Sequence, residues 1–289
     1  MLESTDCVGI SSLPPSPRHT PPPPPESPTA ILLRHATAGH LQEAHETLCR
    51  YMLTQTPDPT TGRLKLGLFC DSIKAAIANR HEALVSYLFS MGIGEPSLYV
   101  WEALEAKSTA IFQVFLDHGW DINKPLGRNK APPLGYVSND RALTEWFLNN
   151  DANPNATCDW DYTPMSNAMQ CASLDTINLL FTHGADINHG QLLHNAVIRE
   201  GPEEEVIKLV DLLLKKGALI DEIQYQNDPQ TFGELEAFSL GTPLHYAAEM
   251  GKEMLVSHLL KNGANQHIKN SKGKTVIEVA PHLKFSDVE

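Results

Sequence analysis

Thirteen histidines and five cysteines are the side chains here best suited to hold a metal or act as nucleophiles. Their spacing argues against both. His35, His40 and His45 are five residues apart, which on a helix of ~3.6 residues per turn rotates them off a common face. His183, His189 and His194 straddle a helix end, a turn and a new helix. A histidine without partner ligands rarely binds zinc. Cys7, Cys49, Cys70, Cys158 and Cys171 are scattered and odd in number. That pattern implies reduced thiols in cytosol or nucleus. Cys171 falls on an exposed helical position with no nearby base, so it is not expected to be a nucleophile. CxxC, HExxH, GxSxG and Walker-type patterns are all absent. The expectation is therefore no catalytic residue, no metal and no cofactor.

Charge narrows the partners. The formal net charge is −13. From Arg199 to Glu236, four basic residues face ten acidic ones, a balance of −6. Direct nucleic-acid binding needs clustered Lys and Arg to neutralise phosphates, so none is expected. The acidic stretch either steers a basic partner or is a solvated face. No apolar run approaches the ~20 residues of a membrane span. Residues 1–28 lack a basic start followed by an apolar core, so no secretory signal is expected.

The elements that must position any site repeat along the chain. A small or helix-terminating position recurs at Gly92, Gly119, Asp151, Gly184, Gly217 and Gly263, in steps of 27, 32, 33, 33 and 46 residues. Glycine suits a helix end because the next residue must turn left-handed. Polar connectors follow: Asp121-Ile122-Asn123, Asn153-Pro154-Asn155 and Asp186-Ile187-Asn188. Asp and Asn there bond their own backbone and stabilise the turn. First helices are predicted from Pro133, Pro164, Leu192 and Pro243, where proline wastes no amide hydrogen. Second helices carry apolar stripes, such as Ile177, Leu179, Leu180 and Phe181, or Val206, Leu209, Val210, Leu213 and Leu214. Fainter units run over Leu32–Leu53, Ile73–Gly92 and Val100–Gly119.

The stretch Gly241–Ala264, GTPLHYAAEMGKEMLVSHLLKNGA, closely resembles the ankyrin repeat, a turn plus two helices every ~33 residues. The resemblance covers about Thr29 to the end. It implies an all-α fold: an ankyrin-repeat solenoid of about seven to eight helix-turn-helix units with short hairpin loops. The degenerate style resembles ankyrin proteins of filamentous fungi. His194 and His245 share the first-helix "LH" place, where the resemblance implies hydrogen bonds to the neighbouring turn. The unit at Leu192 has extra residues, Glu200 to Glu205, between its helices, and a long loop insertion occupies residues 222–240. Insertions in solenoids map to loops, often on the binding face. Residues 274–289 are expected to form a capping helix.

Residues 1–28 hold nine of the 21 prolines. They are expected to be a disordered tail with polyproline II character at Pro21–Pro25. Ser16-Pro17, Thr20-Pro21 and Ser27-Pro28 are candidate proline-directed phosphorylation sites.

In an ankyrin stack the first helices and hairpin loops line a concave ribbon. The resemblance places Glu102, Tyr136, Asn167, Asn195 and Tyr246 in one register. Asn139 with Asp140, Gln170, Arg199, and Glu249 with Met250 lie further along the same helices. Trp160 and Tyr162 add an aromatic tip, although Trp160 has the alternative of packing on the next hairpin. Tyr, Met and Arg are favoured at interface cores. Trp120 and Trp146 are expected in the core. The expectation is a non-enzymatic, monomeric protein–protein interaction adaptor, cytoplasmic or nuclear, with transcription co-regulation through a partner as its use. Its rival is a substrate-recruiting subunit of a ubiquitin ligase or kinase complex.

Overall fold

The computed structural model describes residues 25–57, 60 and 64–283. The polyproline run and the Ser16 and Thr20 sites lie almost wholly outside those residues, while Ser27-Pro28 lies within them. Every regular element among the described residues is helical. In chain order these are α1 (Pro28–Ala38) with α2 (Leu41–Thr54), α3 (Cys70–Ala78) with α4 (Glu82–Ser90), and α5 (Val100–Ala106) with α6 (Thr109–Asp117). A 3₁₀ turn, Pro133–Val137, precedes α7 (Arg141–Asn149). Then come α8 (Pro164–Cys171) with α9 (Leu174–Thr182), and α10 (Leu192–Val197) with α11 (Glu203–Lys215). An inserted helix α12 (Pro229–Leu235) precedes α13 (Pro243–Glu249) with α14 (Glu253–Lys261), and α15 (Val276–Val279) closes the series. We number the seven pairs as repeats one to seven. The first members stack in one row, α1 on α3, α3 on α5, α5 on the 3₁₀ turn, then α8, α10, α13 and α15. The second members stack in another, including α4 on α6, α7 on α9 and α11 on α14.

Local chemistry starts and stops these helices. Ser108, Asp140, Thr163 and Ser173 each accept a backbone N–H at a helix start. Such caps satisfy donors that no earlier turn can reach. All six marker positions have positive φ, and Asp151 does so at 64° without being glycine. The Asx turns form as expected: Asp121, Asn153 and Asp186 accept the N–H two residues on at 2.9 Å. The same residues also knit the repeats together. Asn123 donates to the Asp151 carbonyl at 3.0 Å and accepts Asn153 N–H at 2.7 Å. Asn155 repeats that pattern with Gly184 and Asp186 at 2.7 and 2.8 Å.

The structure departs from the sequence reading at several places. The helix from Pro133 is a 3₁₀ turn. Gly135 leaves room for the Pro164 backbone, 3.0 Å from where a Cβ would stand, and this close approach goes with the tighter turn. Glu203, Glu204 and Glu205 lie inside α11, lengthening it to 13 residues. Three carboxylates there suit the positive end of the helix dipole. The 222–240 insertion contains α12 and a short 3₁₀ turn at Glu236–Phe238. Within residues 274–283 of the expected capping segment there is one helical turn, Val276–Val279, capped by Thr275 and Glu278, and residues 284–289 lie outside the described residues. Ser27, assigned to the tail, is instead the N-cap of α1.

Candidate functional site

The first-helix row carries a connected line of polar and aromatic side chains. Glu102 on α5 pairs with Lys74 on α3 at 3.7 Å. Beside it Trp101, 40% exposed, meets Tyr136 edge-on at 4.9 Å. Gly135, beside Tyr136, abuts the Asn167 side chain of α8. Tyr162 donates to Asn167 Oδ1 at 2.5 Å and accepts from Gln170 Nε2 at 3.1 Å. Gln170 donates onward to Asn195 Oδ1 at 2.7 Å. Tyr246 stands edge-on to His194 at 5.8 Å and donates to Gln224 of the insertion. Burial pushes the Tyr162 and Tyr246 hydroxyls up to about 12. They are neutral donors at physiological pH.

Three predicted contact residues make bonds that hold the fold together. Asn195 is 2% exposed, and its amide donates to the Gly190 and Gln191 carbonyls at 3.0 Å. The tight α8–α10 packing draws it inside. Arg199 donates to the Met169 and Ala172 carbonyls at 3.1 and 2.9 Å, capping the C-terminus of α8. Asp140 is the N-cap of α7. Asn139, Glu249 and Met250 are exposed, and Met250 is a large apolar side chain on that face.

The histidines behave as the repeat register implies. His245 Nδ1 accepts from Thr242, and Nε2–H donates to the Lys274 carbonyl at 3.2 Å. His194 Nε2–H is shared between the Glu222 and Gly241 carbonyls at 3.0 and 3.2 Å. Those two carbonyls bound the insertion, so one buried imidazole pins both its ends. Burial depresses the His194 pKa to about 4 and lowers that of His245. No group of three His, Cys, Asp or Glu side chains among the described residues is placed to hold a metal ion. Among those residues, no helix is long and apolar enough to cross a membrane.

The insertion lies along the hairpin loops. Tyr225, 6% exposed, takes Gln191 Oε1 on its N–H at 3.0 Å. Ser271 donates to the Glu236 and Leu240 carbonyls. Glu234 reaches Arg128 at 2.6 Å and Trp160 at 3.3 Å. Trp160 is half-buried and its indole N–H is held by α12. Sequence reasoning missed Trp101, Gln224 and Glu234. Trp101 carried one usable signal, an aromatic beside the register residue Glu102; the other two depend on how the insertion folds back.

The ankyrin repeat family profile matches residues 241–271. "Ankyrin repeat, SAM and basic leucine zipper domain-containing protein 1" of Dasypus novemcinctus is 26% identical over 165 residues, 51% of this chain and 32% of that protein. Its Mus musculus counterpart is 27% identical over 158 residues, 49% of this chain and 30% of that protein. The matched segment thus spans about a third of these relatives' length. Among the described residues, seven stacked helical units, positive-φ helix ends in register and the matching C-terminal unit agree: residues 241–271 form an ankyrin repeat, and the units stacked before it are similar to that family.

Proposed function

We propose that this chain is a non-enzymatic adaptor that binds another protein on its first-helix face, using Trp101, Glu102, Tyr136, Asn139, Tyr162, Asn167, Gln170, Glu249 and Met250. What supports it is the line of half-exposed aromatic and amide groups running from repeat three to repeat five on one rigid row. Rigid aromatics bind at low entropic cost, and their hydroxyls are already oriented. Free thiols at Cys49, Cys70, Cys158 and Cys171 support a cytosolic or nuclear setting. Transcription co-regulation through a DNA-binding partner extends the proposal, supported by an acidic chain poorly suited to touch phosphates itself.

The test is Trp101→Glu with Gln170→Arg. Both side chains are exposed, so helical circular dichroism and the melting temperature should change little. Partners recovered by quantitative affinity purification should fall about tenfold or more, the effect of losing one interface hot spot. Undiminished recovery would remove this face as the interface.

A further inference from the structure

Arg128 and Trp160 stand on neighbouring hairpin loops and converge on one carboxylate. Arg128 Nη2 donates to Glu234 Oε1 at 2.6 Å, and Trp160 Nε1 donates to Oε2 at 3.3 Å. Each oxygen has its own donor, which is how a planar carboxylate is held with defined orientation. The receiving pair is assembled without Glu234. Asp159 N–H donates to the Arg128 carbonyl at 3.0 Å, joining the two loops. Asp159 Oδ2 also lies 3.4 Å from Arg128 Nε. One edge of the guanidinium is thus fixed and another is aimed outward. A tight turn, with Tyr162 N–H on the Trp160 carbonyl at 2.6 Å, fixes the indole's backbone.

The group filling this clamp comes from the insertion, outside the repeats. Arg128 is 61% and Glu234 35% exposed at their side chains. An ion pair that exposed contributes little net stability, so a competing carboxylate can replace it. The Arg128 loop also presents exposed Lys124 and Lys130. With Glu234 gone, its tip is cationic.

We propose that Arg128 and Trp160 form a carboxylate clamp for an acidic segment of a partner protein, with Glu234 as its built-in competitor. The insertion would then act as an occupant that a partner displaces. The idea rests on the adaptor reading only in taking the ligand to be a protein.

The probe is a fluorescein-labelled ten-residue peptide of alternating Glu and Ser, read by anisotropy on the full chain, with its Gln-for-Glu counterpart as control. Glu234→Gln should tighten binding of the Glu peptide by about threefold to fivefold, the range expected from removing an exposed competitor. Adding Arg128→Ala to that variant should abolish the gain. The insertion is already unlatched there, so this loss reads contact with the peptide. Trp160→Phe should weaken binding by about twofold to threefold, the loss of one neutral donor. Equal affinity of wild type and Glu234→Gln would overturn the clamp. So would a Lys124→Ala effect as large as that of Arg128→Ala, or binding of the Gln peptide. The Gln170 change alone should leave this affinity unaltered, which separates a failed ribbon from a failed clamp; Trp101 is left intact in this control because Lys130 of the clamp loop lies over its ring, 5.1 Å from the centroid.

Discussion

Phe112→Ala is expected to remove about 3–5 kcal/mol of unfolding free energy, the range for deleting a fully buried phenyl ring. Phe112 on α6 has no solvent exposure. Its ring lies 4.8 Å from Phe147, 5.9 Å from Trp120, to which it is stacked, and 6.0 Å from Trp146. Phe147 and Trp146 belong to α7, so the ring joins repeat three to repeat four. In a solenoid each repeat contacts only its neighbours, and stability is a sum of local and interface contributions. A cavity at this one interface therefore weakens the coupling between everything before it and everything after it. Urea unfolding should show two steps, or one step with a reduced slope, where wild type shows one. Tryptophan fluorescence reports the interface directly through Trp120 and Trp146, and far-ultraviolet circular dichroism reports the remainder. A single transition of unchanged slope, displaced by less than about 1 kcal/mol, would show that the aromatic cluster does not couple the halves. A similar ring on an outer surface would cost far less, because solvent fills the space it leaves.

What was legible in the sequence follows from the range of the forces involved. Helix ends are decided within a few residues, so Gly92, Gly119, Gly184, Gly217 and Gly263 could be placed from the chain alone, and Asp151 could be placed by period. The histidines of repeats six and seven were readable for the same reason, because their partners sit at fixed register in the next turn. The helix before α7 was not. Pro133 looked like a helix start, but close approach of α8 at Gly135 favours the tighter turn. On the site, register gave the row and not the exposure along it. Asn195 and Asn167 occupy equivalent places, yet one is buried under Gln170 and the other is half-open. Arg199 was read as an interface arginine because nothing local shows that two carbonyls of the preceding helix wait for it. The insertion was least legible. Glu234 meets a residue 106 positions earlier, and no periodic pattern predicts a contact of that span.

Acidification gives the second large effect, through His194. Its imidazole is buried and neutral, and its pKa is depressed to about 4 from an ordinary 6.5. Burial outweighs the Glu222 and Gly241 carbonyls, which favour the cation. Between these two values the unfolded chain holds a proton that the folded chain refuses. The contribution is therefore complete above pH 6.5 and is lost progressively as the pH falls toward about 4. Over that window the loss approaches ~3 kcal/mol at 1.36 kcal/mol for each unit of pKa difference. His245, lowered by burial in the same direction, adds to it. Replacing His194 with Gln should cost about 1–3 kcal/mol near neutrality, since two buried carbonyls lose a shared donor. That variant should then lose about 3 kcal/mol less than wild type on acidification. Urea midpoints near pH 7, 5.5 and 4.5 for both proteins test the difference, and parallel profiles would exclude His194 as its source. Hydrogen exchange adds a positional check. His194 pins both ends of the insertion, so amides of residues 222–240 should lose protection in acid before those of α11 and α14. Release of that segment also withdraws Glu234 from Arg128 and Trp160, linking the stability of one buried imidazole to the availability of the clamp.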